Sequence, residues 1–394
     1  MCVGVNTKQQ VTRARRDGFA QEGQPRQAIF RVLRMVFARV NVVKAVVDVK
    51  SRTCEVRVTD RWLLVETFGG EGRQPTVIAL GETPKRMLAL ESVLGRGGYI
   101  RPLRAMIDRV AATGEAFRGM TRDGRRQLIA DPLTSFAGHV NGVYAWAGPA
   151  GQEPPPRSAA GAWYFNRTTG LIGGSDDLLD LYGVAPQDRR QTRVTAEAFT
   201  RLLPGADETQ ALALLARAEP GSEYQGRNWT VRRDDGELRA VMLACRVVEE
   251  TREDGRTEVV VRGVTQDIGP ADTSPAAPRP ARVALAQRVI MAEREPGRHR
   301  AIVDLRTLDV LRWIDEPPPG VAWEANGAHR PAIHRADLRT AVQMSRVLAD
   351  EDRVEETLRV RAVSGDWTPV SVTAALMLLD QHTTAALVTV SPLS

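Results

Sequence analysis

The stretch from Trp229 to Ile268 constrains this chain most. Three β-rich runs are separated by two Asp-Gly pairs, Asp235-Gly236 and Asp254-Gly255. Glycine takes the positive φ of a hairpin turn at no steric cost, so the stretch predicts an antiparallel meander of three strands. Its middle run, Leu238 to Val248, is apolar in both phases. Val241, Leu243, Cys245 and Val247 fall on one; Leu238, Ala240, Met242 and Ala244 fall on the other. An antiparallel strand with one wet face alternates apolar and polar residues. Both faces are therefore expected to be covered, one by helices and the other by a neighbouring domain or subunit. Leu238, Ala240, Met242 and Ala244 are the expected interface.

A chain of 394 residues suggests two or three domains on a prior of about 150 residues each. Apolar residues make up 43% and charged ones 26%, the balance of a globular protein. The net charge of +6 comes from arginines scattered along the chain. No helical segment gathers them into a dense basic stripe, so they read as solvated surface and not as a nucleic-acid interface. Cys2, Cys54 and Cys245 have neither disulfide nor metal spacing, which makes a reduced, cytoplasmic setting the expectation. No run approaches the ~20 apolar residues of a membrane span, and Met1–Gln27 has no signal-peptide core.

Residues 1–57 are a basic tail (Arg13, Arg15, Arg16) followed by an apolar segment, 28–50, with no settled period. Domain character begins at Trp62, and a translation start near Val58 is one reading of that. A first α/β domain is expected over 58–150. It has strands at 62–67 and 76–80, a helix over Pro84–Leu94, and a second helix over Ile100–Ala112. Leu103, Met106, Ile107 and Val110 form that helix's buried face, and Gly114 ends it. Residues 151–161, with Pro154-Pro155-Pro156, read as a linker. A second domain spans 162–268. Its Asp207–Ala218 run is a helix, acidic at its start and bounded by Pro204-Gly205 and Pro220-Gly221. Residues 269–280 form a second linker, and 281–394 a connecting helix (Ala281–Glu295) and a third domain. The third domain repeats the second: Trp229–Leu238 aligns with Leu358–Trp367 without a gap. Val370, Val372, Ala374 and Leu376 then alternate with Ser371, Thr373, Ala375 and Met377, as in a half-buried strand.

The meander closing on Gly263-Val-Thr-Gln-Asp-Ile268, with Trp163-Tyr-Phe-Asn166 and Gly173-Gly-Ser-Asp-Asp-Leu-Leu179 upstream, resembles a PAS domain. In the third domain, Ile333-His-Arg-Ala-Asp-Leu338 partly matches the His-Pro-x-Asp helix start of that family, but proline is absent. In the first, Gln127–Leu133 leading through a glycine turn into Val140-Asn-Gly-Val-Tyr-Ala-Trp146 is similar to the closing hairpin of GAF domains. The order resembles mycobacterial and other actinobacterial proteins with three sensor domains. The resemblance implies an α+β fold: three tandem domains, each an antiparallel sheet of about five strands with helices packed on it.

That resemblance implies ligand pockets between sheet and helices. Phe165, Leu181, Tyr182, Phe199 and Met242 are the candidate lining in the central domain, against the plainer reading that they fill its core. His334 is a candidate haem ligand, against a role capping its helix. Cys245, which flavin photochemistry would need in a helix motif, sits mid-strand and reads as a small core residue. Gly95-Arg-Gly-Gly98 lacks the strand before it and the Gly-Lys-Ser/Thr of a phosphate loop. Asp176-Asp177 and Asp234-Asp235 sit where aspartate caps helices and turns. His139 has no Ser or Cys partner in view, and no metal-ligand spacing occurs. The expectation is a non-enzymatic sensor without an output domain of its own, binding a small molecule, a separate signalling protein, or both. A scaffold that binds proteins only is the alternative, and an enzyme with a dispersed site the third. Cofactor and oligomeric state are left open.

Overall fold

Strong β-formers and glycine turns build three antiparallel sheets in the computed structural model. It describes residues 61–69, 73–95, 97–203, 208–271, 295–325, 330–379 and 383–393. The basic tail, the 28–50 segment, the start near Val58, Cys2, Cys54 and the connecting helix from Ala281 lie outside the described residues.

Sheet one contains β1 (Leu63–Glu66), β2 (Thr76–Leu80), β3 (Thr83–Leu88), β4 (Phe117–Met120), β5 (Arg126–Thr134) and β6 (Val140–Pro149), in the order β3-β2-β1-β6-β5-β4. The helix expected over Pro84–Leu94 is mostly strand; only Leu90–Leu94 is helical. A tight turn pairs Leu80 with Thr83 and Ala79 with Pro84. β3 is an edge strand, where a proline without an N–H costs no ladder bond. The Ile100–Thr113 helix buries Ile100, Leu103, Met106, Ile107 and Val110.

Sheet two contains β7 (Ala160–Asn166), β8 (Leu171–Gly174), β9 (Arg193–Val194), β10 (Leu202–Leu203), β11 (Glu223–Arg232), β12 (Leu238–Thr251) and β13 (Thr257–Pro270), ordered β10-β11-β12-β13-β7-β8-β9. β11, β12 and β13 are the meander of the two Asp-Gly turns. Sheet three contains β14 (His299–Val303), β15 (Val310–Trp313), β16 (Arg353–Arg361), β17 (Trp367–Leu378) and β18 (Thr384–Pro392), ordered β15-β14-β18-β17-β16. The run β8-β7-β13-β12-β11 has the same strand order as sheet three, and β2-β1-β6-β5-β4 repeats it in sheet one. Strand far outweighs helix, so the fold is more β-rich than the expected balance of sheets and helices.

The three sheets pack together, and residues 57–394 form one unit. Sheets one and two meet face to face through an apolar layer. From sheet one it takes Leu64, Ile129, Tyr144 and Trp146, with Trp62, Phe68 and Ile78; from sheet two, Ala160, Ala162, Met242, Ala244 and Val264. Gly142 permits this approach, since a Cβ there would stand 3.2 Å from Val264 and 3.3 Å from the Val65 carbonyl. On the other side of sheet two lies the Glu208–Arg217 helix. Ala211 to Ala216 are buried without a break, because one side meets the middle domain's core and another meets Ile302, Leu311 and Ala385 of the third. A helix apolar all round must be enclosed.

Candidate functional site

An inward cavity among the described residues lies in the third domain. β17 turns Val372 and Ala374 inward, β18 supplies Ala386 and Val388, and the Leu338–Val347 helix contributes Ala341 and Met344. Because several of these side chains are small, sheet and helix do not close on each other. About 320 Å³ remains, within the lower range of natural ligand pockets. One wall comes from the middle domain, as Thr169–Leu171 and Val194–Ala196. The lining is overwhelmingly apolar, and Asp309 is its one carboxylate. Burial pushes that carboxyl up, while a side-chain hydrogen bond to Thr307 and the charge of Arg167 oppose the shift. Beside it, buried Arg167 pairs with buried Asp304 and joins the two domains. Among the described residues no nucleophile with an adjacent base lines this space. The sequence reading placed its pocket one domain earlier and missed it. The signal was the run of alanines and valines at the inward positions of β17 and β18.

The middle domain holds a smaller cavity of about 110 Å³. Tyr182 and Phe199 line it with Trp163, Trp229 and Cys245. Phe165 and Leu181 belong to the same core cluster but lie behind the wall. Met242 does not belong to this pocket. Side chains alternate along a strand, so Val241, Leu243 and Cys245 face the helices while Met242 and Ala244 lie in the layer against sheet one. Leu238 and Ala240 are only half-buried and lie outside that layer. Burial pushes the Cys245 thiol up to about 12, which suits a core residue and not a reactive thiolate.

Polar groups rim the junction of sheets one and two. Asn141 Nδ2 donates to the carbonyls of Trp163 (2.7 Å) and Gly263 (3.1 Å), and Gln266 Nε2 to that of Gly81 (2.8 Å). Buried Arg246 meets Glu66 at 3.6 Å and Glu223 at 3.0 Å. His139, which the sequence left without a partner, stands 3.3 Å from Glu250 and 3.3 Å from Arg262. Burial pushes the Glu250 carboxyl up, but the hydrogen bonds and charges of His139 and Arg262 outweigh it and hold it at about 2. This cluster joins two domains and was not legible from spacing, since His139 lies more than a hundred residues from both Glu250 and Arg262.

The other candidates have structural partners. His334 Nδ1 accepts from the Ala336 N–H at 3.2 Å, and its ring meets Trp367 edge-on. Asp337 binds Arg359 through both carboxylate oxygens, at 2.7 and 2.8 Å. Asp176 and Asp177 open a short helix capped by Ser175, with Arg189 near Asp176. Asp234 is held by Arg201 and Asp235 by Arg233. Gly95 closes the Leu90–Leu94 helix, so helix and not strand precedes that glycine run, whose Arg96 lies outside the described residues. Among the described residues no group of three or more His, Cys, Asp or Glu is arranged to hold a metal, and no helix is long and apolar enough to cross a membrane.

The fold defines a protein of three tandem antiparallel-sheet domains, with hollows in the middle and third. Three models of one family match in order: Rv3651-like N-terminal over 61–156, middle domain over 159–267, and C-terminal domain over 283–392. The chain belongs to the Rv3651-like family. A crystal structure of an uncharacterized protein from Mycobacterium tuberculosis is similar at 28% identity and a TM-score of 0.72, covering 85% of this chain and 97% of that one. A sensory box histidine kinase/response regulator from Burkholderia thailandensis matches at 21% identity and a TM-score of 0.22, over 28% of this chain and 79% of that one. An RNA-binding light-oxygen-voltage receptor matches at 12% and 0.22, over 59% and 94%. At those TM-scores neither of the last two carries an argument here. No curated protein matches.

Proposed function

We propose that this chain is a non-enzymatic sensor or signalling adaptor of GAF-like and PAS-like domains, whose third domain binds a small, largely apolar molecule. The observation that carries this is the cavity of about 320 Å³ with a wall from the middle domain. An apolar cavity of about 150 Å³ holds benzene, so this one suits roughly a dozen non-hydrogen atoms. A ligand there touches two domains and biases their arrangement, which a separate signalling partner can read. The candidate acids, bases and thiol are committed to caps, ion pairs and core, which supports a binding role over catalysis.

Native mass spectrometry of the full chain from its own host tests this. A co-purifying molecule of that size, lost in the cavity-filling variant Ala386→Phe, is the expected result. An unliganded chain whose melting temperature no panel of small apolar compounds shifts would overturn it. The scaffold reading draws on a different observation, the covering of the middle sheet on both faces. Capture of the same protein partner by the wild-type chain and Ala386→Phe would favour it.

A further inference from the structure

The second cavity carries its own argument. Three arginines stand on the wall of the middle domain's hollow, Arg190, Arg193 and Arg201, and among the described residues no carboxylate does. Two are neutralised from outside. Arg190 meets Glu197 at 2.8 Å and Glu324 at 3.7 Å. Arg201 binds both oxygens of Asp234 at 2.8 and 2.9 Å. The guanidinium of Arg193 makes no hydrogen bond or ion pair among the described residues, though it is half-buried. Burial, with the charges of Arg201 and Arg190, pushes its pKa down. The charges of Glu197 and Asp234 oppose that shift without cancelling it, so the half-buried cation is held at a cost that is chiefly desolvation. Trp163 lines the same cavity, and its indole N–H is buried with no hydrogen-bond acceptor among the described residues. Among the described residues the lining thus holds two residues with unpaired donors and no carboxylate, and Leu178, Leu214 and Leu243 are among its apolar members.

We propose that the middle domain's cavity is a second binding site, for a small organic carboxylate whose head pairs with Arg193 and whose short apolar tail enters the hollow. A volume of about 110 Å³ is smaller than the roughly 150 Å³ that takes benzene, so the tail is about four or five carbons. A guanidinium reads a carboxylate through two parallel N–H donors. The site is separate from the third domain's cavity and does not depend on it.

Isovalerate is the probe, titrated into the full chain with tryptophan fluorescence as the readout, since Trp163 and Trp229 both line the space. Saturable binding is expected, weakened at least about tenfold in Arg193→Gln and less in Arg193→Lys, which keeps the charge but not the two parallel donors. Isovaleramide, of the same shape but neutral, is expected to bind at least about tenfold more weakly to the wild type. If Arg193→Gln does not fold, the acid–amide comparison on the wild-type chain decides alone. Any of three results would overturn the proposal: no saturable response to isovalerate at millimolar concentrations, equal affinity for acid and amide, or inorganic phosphate binding as tightly as isovalerate. The last would reduce the site to a surface anion contact. Unchanged isovalerate binding in Ala386→Phe would show that this site stands whether or not the third domain binds anything.

Discussion

The middle and third domains share the order of five strands and the register at one end of the central hairpin. Trp229 faces Val241 across the β11–β12 pair, and Leu358 faces Val370 across β16–β17. At three inward positions the third domain has the smaller residue, Leu358 for Trp229, Val372 for Leu243 and Ala374 for Cys245, while Val370 matches Val241. Its cavity is correspondingly larger, about 320 Å³ against 110 Å³. The outward positions also part company. Met242 and Ala244 are fully buried against sheet one, whereas Ser371 and Thr373 at the matching places of β17 are half-exposed. One backbone plan thus makes a pillar when both faces of its central strand are apolar and covered, and leaves a hollow when the inner face is small.

The comparison breaks or holds first at the outward positions. Met242→Lys places an ammonium in a dry layer and is expected to cost at least about 4 kcal/mol of stability. Ser371→Lys is expected to stay within about 0.5 kcal/mol, because Glu355 lies 3.2 Å from the Ser371 hydroxyl and offers a partner. Urea denaturation of both variants measures the gap, and equal losses would break it. The inward positions come next. Trp229→Leu gives the middle domain the third domain's residue, and should cost about 3 kcal/mol, since its N–H also bonds Tyr224 at 3.0 Å. Leu358→Trp puts the larger ring into open space and should cost no more than about 1 kcal/mol while abolishing any ligand binding there. A larger loss for Leu358→Trp would mean that the third cavity is not free to be filled.

The smallest effect tests how the pillar is fastened. Glu250 is held at about 2 against an ordinary 4.5. A carboxylate depressed on folding stabilises above its unfolded value and loses that contribution as pH falls toward the folded one. Glu250→Gln should therefore cost about 2 kcal/mol at neutral pH, allowing for the coupling to His139 and Arg262, and almost nothing near pH 2. Thermal melts between pH 7 and 2 check this; a deficit that persists at pH 2 would assign the loss to packing and not to charge.

Much of this was legible locally. The Asp-Gly turns located the meander, the 3.6-residue period located the Ile100–Thr113 helix, and the apolar double phase of Leu238–Val248 announced a strand without a wet face. Pro84–Leu94 failed because helix formers there give way to a hairpin partner, β2, that only pairing supplies. Met242 was counted for both a pocket and an interface because periodicity does not say which phase faces the helices. The third-domain cavity was missed for a related reason: small residues look like ordinary core until the spacing of helix and sheet is known.

The chain's own sequence determined its strands, its turns, the gapless repeat between 229–238 and 358–367, and the exclusion of a membrane-spanning run, because these depend on residues near one another. Only the tertiary structure decided where space remains, that Arg193 has no ion pair among the described residues, and that His139 meets Glu250. Those depend on atoms brought together from distant parts of the chain, and no local period encodes that distance.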